Sequence, residues 1–592
     1  MHVRQMIGKR SLRVALPLAV CLVAASAVAT ASATQAAPSP KAKGPVFKEA
    51  KAFDVSKPLR ELATSATRRS TGLLPGRGPD RPVGEGTASG NAASGYRLHA
   101  SRWGAVATLT AAAIPAPLLS FEGLSNQDNF NLFGFRVNPP DPVGDVGPNH
   151  YVEMVNLAFA VYDKQGNVLL PATRIGALWD GFAVEDCTDP SGDPIVLYDQ
   201  LADRWILTQF TTRDPIFYNC IAISQTGDPT GAYYRYAFST GPNFPDYPKY
   251  GVWKDSYVIT TREFGPTVEY GIGVYALDRN KIIAGNPNAR MVGFFLDGND
   301  PAILPLVGDG LLPADLDGNR KPRNDAKIPI VGTQDDGAGY GATFDALNIW
   351  ELDVHWNAKA AADATLALAT QLPVAPFDSI FPCRVVPGPP PPAPQPTSRD
   401  CLPQPGVAPN QYLDILSYRQ RPTWRLAYRN FKDYEALVTA QSVEALPATA
   451  GMRWYEIRRT NGTYTLYQQG THAPSDGVHR WMGSIAQDKN GNAALGYSVV
   501  NATTVFPGIR YTGRLASDPL GTMPLGEGTI VNGTGVQRTT NSRWGDYTSM
   551  NVDPIDDCTF WYVNEYYTAA GQASSLAGWQ TRIAAFKLPG CS

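Results

Sequence analysis

Charge is scarce in this 592-residue chain, and neither sign prevails. Asp, Glu, Lys and Arg make up 18% of it, with 51 basic residues against 53 acidic ones, a formal net charge of −2. A nucleic-acid partner asks for a basic face, so this balance argues against one. Histidine is rarer still. His150, His355, His472 and His479 are too scattered along the main part of the chain to read as a zinc site. There is no C-x-x-C pair, no G-x-x-x-x-G-K-[ST] loop, no G-x-S-x-G elbow and no H-E-x-x-H. Zinc-ribbon, thioredoxin-like, nucleotide-dependent, serine-hydrolase and zincin readings therefore have nothing to start from. After the N-terminal region, no stretch is long and apolar enough to span a membrane.

What is abundant is glycine (55), proline (50) and aromatic residues, with Tyr, Phe and Trp at 27, 22 and 12. That mixture suits short strands joined by many turns. At the N-terminus, Arg4, Lys9, Arg10 and Arg13 precede an apolar run from Val14 to Ala31, and Ala31-Ser32-Ala33 follows. A basic region, an apolar core and small residues read as a secretory signal over residues 1–33, with Ala36-Ala37 as a later cleavage option. An uncleaved anchor is the competing reading. The expectation is a secreted, extracellular, monomeric protein with no membrane span once the signal is removed. Residues 34–115, rich in Ala, Ser, Gly, Pro and Arg, read as a disordered, propeptide-like leader.

Cysteine usage points to the same compartment. Cys21 falls in the signal, leaving Cys187, Cys220, Cys383, Cys401, Cys558 and Cys591, an even set as export favours. Six cysteines allow about fifteen pairings. Pairing of sequence neighbours is expected: Cys187–Cys220, Cys383–Cys401 and Cys558–Cys591. The middle pair brackets PGPPPPAPQP at 387–396, a polyproline tract read as a stapled loop over 384–410.

Strand-like runs recur from Phe121 onward, anchored early by Tyr151, Trp205 and Tyr257, 54 and 52 residues apart. A repeat of that length, several strands per unit, predicts an all-β fold: a single β-propeller of about seven four-stranded blades over residues 116–592. Six or eight blades and a tandem of β-sandwiches are the alternatives.

Asp141-Pro142-Val143-Gly144-Asp145-Val146-Gly147-Pro148-Asn149-His150-Tyr151 resembles a group of secreted bacterial propeller proteins of largely uncharacterised function. Phe244-Pro245-Asp246-Tyr247-Pro248-Lys249, Arg480-Trp481-Met482-Gly483-Ser484 and Arg543-Trp544-Gly545-Asp546-Tyr547 carry the same resemblance. It covers residues 120–592 and implies a fold without an assigned reaction. A more distant similarity to sialidase-type propellers lacks the Ser-x-Asp-x-Gly-x-Thr-Trp box, so no catalytic residue transfers from it.

A propeller brings the segments that precede its innermost strands to one mouth. Here those segments carry Asp141, Asp145, Asp193, Asp246, Tyr247, Asp315, Asp317, Arg480, Trp481, Arg543, Trp544, Asp546 and Tyr547. Paired carboxylates, arginines and aromatics fit a sugar polymer. The expected catalytic set is Asp246 and Asp546 as acid and base, beside Tyr247 and Tyr547. Arg480 and Arg543 are expected to orient an anionic group, with Trp481 and Trp544 stacking and Asp145 and Asp193 lining the site. The partner is then an extracellular glycan or polysaccharide, and the protein a glycoside hydrolase or polysaccharide lyase. The alternative is a non-catalytic surface or matrix propeller that binds protein or polysaccharide, its aspartates serving as turn residues. No cofactor or metal is expected. Asp315-Leu316-Asp317-Gly318-Asn319 looks like half of a Ca2+ loop, but Ala326 stands where its final glutamate belongs.

Overall fold

The computed structural model describes residues 40–66 and 113–592, except 190, 214, 338, 357–362, 384–400, 416–419 and 540–541. The signal at 1–33 and the polyproline tract lie outside the described residues.

The fold is all-β and built from meanders in which each strand pairs antiparallel with the next. The described strands form six sheets. Five begin with Val143–Val146, Val196–Asp199, Phe244–Val252, His479–Gln487 and Ser549–Val552. The sixth has eight strands and consists of two four-stranded meanders, starting at Leu312–Asp317 and Thr423–Asn430. These two first strands pair in parallel, Ala314 opposite Leu426 and Asp317 opposite Arg429. First strands of consecutive meanders touch one another, and Ser549–Val552 touches Val143–Val146, so the series closes into a ring. Polar bonds join neighbouring first strands. The Tyr198 N–H donates to Asp145 Oδ2 at 2.7 Å, the Met550 N–H to Ser484 Oγ at 3.0 Å and the Gly144 N–H to Ser549 Oγ at 2.8 Å. This is a propeller, and it closes by exchange of its ends. Leu119–Ser125 supplies the outer strand of the last sheet, Phe121 opposite Ile583.

Sheets with neighbours on both faces explain the sequence pattern. First strands such as Val143–Val146 and His479–Gln487 are buried at every position instead of alternating. Between sheets lie large aromatics: Tyr151 stacks on Trp561 at 5.3 Å, and Trp253 meets Tyr428 edge-on at 4.7 Å. All three expected disulfides form, Cys187–Cys220, Cys383–Cys401 and Cys558–Cys591, which fits an oxidising compartment. Among the described residues, no helix is long and apolar enough to cross a membrane.

One expectation needs correction. Part of the leader is ordered. Lys43–Glu49 adds a strand to Arg290–Asp297, and Ala52–Val55 adds one to Tyr233–Gly241. Asp54 grips Arg235 through two bonds of 2.7 Å, and Leu59 is fully buried in the helix that follows. Each piece is too short to show a period and completes an existing sheet edge, so the strand signal lies in the partner, not in the segment.

Candidate functional site at the mouth of the ring

The approach to the first strands repeats one backbone device. Asp141, Asp193, Gln420 and Ser542 ahead of a first strand, and Tyr247 and Met482 inside one at a register shift, all have left-handed φ, between 41° and 58°. That conformation is uncommon outside glycine. Pro142, Pro194, Pro248 and Pro422 then fix the chain as it turns into the strand. The device carries side chains from distant meanders onto the ring axis.

The floor of the mouth is closed by aromatic rings and a lysine. The Tyr247 and Tyr547 rings lie 5.2 Å apart, and Lys249 Nζ sits 2.9 and 3.6 Å from their centroids. The Arg421 guanidinium covers Tyr247 at 3.7 Å. Tyr547 Oη lies 3.0 Å from Asp193 Oδ2 and 3.1 Å from the Pro248 carbonyl, so it ties three meanders together. One tyrosine proton serves one of these oxygens.

Above the floor lies a ring of charge. Arg262 pairs with Asp309 at 2.7 Å and more loosely with Asp246 at 3.7 Å. Arg421 stands 3.6 Å from Asp309, and Arg543 donates to Asp546 at 2.7 Å. The Asp546 N–H donates to Asp141 Oδ1 at 2.6 Å, and Asn156 Nδ2 donates to Asp141 Oδ2 at 2.7 Å. Glu565 Oε1 accepts the Gly545 N–H at 2.5 Å. These groups crowd one another below the surface, yet Asp246 keeps 34% of its side chain open to solvent and Arg543 keeps 22%. Solvent therefore reaches the cluster at Asp246 and Arg543.

Burial dominates the acid–base character. It pushes Asp141 up to about 7, helped by the Asp546 charge. It raises Asp193 well above the carboxylate range, reinforced by Asp141, Asp246 and Asp546. Asp246 is raised by burial against the opposing pull of Arg262, and Glu565 is raised well above its ordinary value. Burial lowers Lys249 well below the ordinary lysine value, with Arg421 adding to the effect. Carboxyls that burial makes hold their protons more tightly therefore stand beside Asp546, which Arg543 grips at 2.7 Å.

Of the residues expected from sequence, Asp246, Tyr247, Asp193, Arg543, Asp546 and Tyr547 meet here. Four do not. Arg480 points away from the axis and is gripped by Glu527 at 2.7 Å and Asp476 at 2.7 Å. Trp481 and Trp544 are fully buried and pack on each other at 5.0 Å between adjacent sheets, so neither offers a face to a sugar. Asp145 lies deeper in the ring, spanning two first strands through its bond to Tyr198, and burial pushes it up to about 8. The half calcium loop is also corrected. Asp315 accepts from Arg425 Nε at 2.7 Å and Asp317 from Arg425 Nη2 at 2.7 Å, so a guanidinium occupies the carboxylates a cation would need.

Lys249, Arg262, Asp309 and Glu565 were not expected at the site from sequence. Arg262 and Glu565 sit on second strands, outside the approach segments. The repeated residue-Pro pairs Asp141-Pro142, Asp193-Pro194, Tyr247-Pro248 and Arg421-Pro422 are a signal that leads to Arg421. Elsewhere, Asp335, Asp336 and Asp345 bring carboxylate oxygens within 4.8 Å of one another. Backbone N–H groups already hold Asp335 and Asp345: Gly337 and Ser379 donate to the first, Asp336 and Phe377 to the second.

No protein-family model matches the chain, and no curated protein matches it. Solved structures overlap it loosely. An endo-arabinase from Bacteroides thetaiotaomicron is 12% identical with a TM-score of 0.24, over 56% of this chain and 95% of that one. Bacillus subtilis levansucrase is 9% identical with a TM-score of 0.28, over 59% and 88%. A protein of unknown function from Dyadobacter fermentans is 10% identical with a TM-score of 0.21, over 58% and 95%. Superpositions this loose carry no weight for fold or activity.

Proposed function

We propose that this protein is an exported, seven-bladed propeller that binds a glycan at the mouth of its ring and cleaves it hydrolytically. Counting Leu312–Asp317 and Thr423–Asn430 as the starts of separate blades supports seven, because each heads its own four-stranded meander. The basic-then-apolar N-terminus supports export.

The observation that carries the function is two carboxyls in unlike surroundings within one cluster that solvent reaches. Asp246 is raised by burial and open at the rim, and Asp546 is held by Arg543 at 2.7 Å. Glycosidic cleavage needs that division: one carboxyl to protonate the leaving oxygen, and one carboxylate to act as nucleophile or to activate water. Asp246 fits the acid and Asp546 the base or nucleophile.

The test is a glycan panel with the parent protein, Asp246→Asn and Asp546→Asn. Each variant is expected to lose about 10²–10⁴ in turnover with its melting temperature nearly unchanged. The anomer of the first product, read by NMR, would then separate the nucleophile from the water-activating base. A second reading, a binding module without turnover, is favoured by the cross-axis lock of Tyr547 on Asp193 and Pro248. It takes over if both variants unfold several degrees earlier and the parent binds a glycan without cleaving it.

A further inference from the structure

Charge at the mouth is committed unevenly. Each described guanidinium already faces a carboxylate: Arg262 faces Asp309 at 2.7 Å, Arg421 faces Asp309 at 3.6 Å and Arg543 faces Asp546 at 2.7 Å. Lys249 is enclosed by tyrosine rings. The carboxyls are not matched in the same way. Among the described residues, Asp141, Asp193 and Glu565 make no ion pair. Glu565 is fully buried, its Oε2 has no hydrogen-bond partner, and its charged neighbours Asp141, Asp546 and Arg543 all belong to the mouth. Asp246, the most open of the group, has one loose ion pair at 3.7 Å.

We propose that the mouth selects amine-bearing glycans, chains of de-N-acetylated amino sugars, and turns away uronates, sialates and sulfated sugars. This rests on the glycan reading above and names the substrate class of that same site. A protonated amine arriving at the rim finds Asp246 held by a single loose pair at 3.7 Å, and its positive charge favours the ionised form of that carboxyl. A ligand carboxylate or sulfate finds every described arginine facing a carboxylate and meets Asp246 and Asp546 first, a like-charge encounter. The expectation that arginines at the mouth hold an anionic sugar therefore reverses: Arg480 is elsewhere, and Arg543 belongs to Asp546.

The test is calorimetric titration of the parent protein with four probes at one ionic strength: a glucosamine tetramer, its N-acetylated counterpart, a galacturonate tetramer and spermine. The glucosamine tetramer is expected to bind about tenfold or more tighter than the N-acetylated one. Asp246→Asn is expected to erase that preference. The ranking in the parent decides the matter even if the variant misfolds. Tighter binding of galacturonate overturns the charge selection and leaves the glycan reading standing. Binding of spermine with silence from every sugar upholds the charge selection and sinks the glycan reading. Silence from all four probes overturns both.

Discussion

Two clusters in this molecule use the same side chains and reach opposite electrostatic ends. At the mouth, Asp141, Asp193 and Glu565 crowd other acids and are pushed up by burial. In the sheet that begins at His479, Glu527 accepts from Arg480 at 2.7 and 2.8 Å and from Tyr497 at 2.5 Å, and His472 and Arg510 stand at 3.2 and 3.3 Å. Although burial opposes it, this glutamate is held far below its ordinary range by Arg480, His472 and Tyr497. Burial and partners both separate the two: the mouth acids are deeply buried among other acids, whereas Glu527 is partly exposed and ringed by donors. Where donors surround a carboxylate, the charged form is the stable one; where acids surround it, the proton stays. The first arrangement is a structural clamp. The second keeps buried carboxyls with raised proton affinity behind Asp246, which solvent reaches, and perturbed groups of that kind gather where acid–base chemistry is done.

The strongest way to break this contrast is to remove the clamp. Arg480→Met leaves Glu527 partly buried without its main partner, and breaking such a pair costs about 3–5 kcal/mol. Urea unfolding should show that loss, while glycan binding by the still-folded variant stays at the parent's level. A change in binding that matches the loss of stability would place Arg480 in the functional site after all.

The pH dependence of stability sharpens the contrast, because the two clusters carry opposite signs. Burial and the Asp546 charge push Asp141 up to about 7 in the folded protein, against about 3.9 when unfolded. The folded state therefore holds this proton more tightly. Its contribution is fully present below about pH 4 and is lost as the pH rises through the folded value, each unit of separation being worth about 1.4 kcal/mol. Glu527 is depressed in the fold, so its contribution is present above about pH 4.3 and is lost as the pH falls. Melting temperatures measured from pH 4 to 8 should show Asp141→Asn flattening the loss towards neutrality. Below pH 4, Glu527→Gln should flatten the acid-side loss. Identical profiles for both variants would refute the contrast.

The same contrast explains what the sequence could disclose. The disulfides were legible because sequence-neighbour pairing also closes local loops in this ring. The strand repeat was legible because each meander restates one pattern. Arg480-Trp481 and Arg543-Trp544 look alike in sequence, yet only Arg543 reaches the mouth. The left-handed turn comes two residues after Arg480, at Met482, but one residue before Arg543, at Ser542. That shift relative to the bend sends one guanidinium to the outer strand and the other to the axis. Arg262 and Glu565 were hidden for another reason: their positions become visible only once strand pairing is known, as when Arg262 falls opposite Asp246 across its hairpin. The ordered strands at 43–55 were hidden because half of each pairing lies roughly two hundred residues away.

The smallest effect tests whether the clamp is secured from inside or from outside. Arg480 divides its donors between Glu527, whose side chain is 18% exposed, and Asp476, which is 42% exposed and bonds at 3.0 and 2.7 Å. Solvent screens the outer pair, and exposed ion pairs contribute about 0.2–1 kcal/mol. Asp476→Asn keeps an oxygen that can accept from the guanidinium and leaves Glu527 in place. The expected loss is accordingly below about 1 kcal/mol and shrinks further in high salt, where surface attraction is screened. Unfolding curves of parent and variant at low and high salt measure it. A loss as large as that of Arg480→Met, unchanged by salt, would mean that the exposed aspartate and not Glu527 fixes the arginine, and the account of the clamp as a buried, donor-saturated carboxylate would fail.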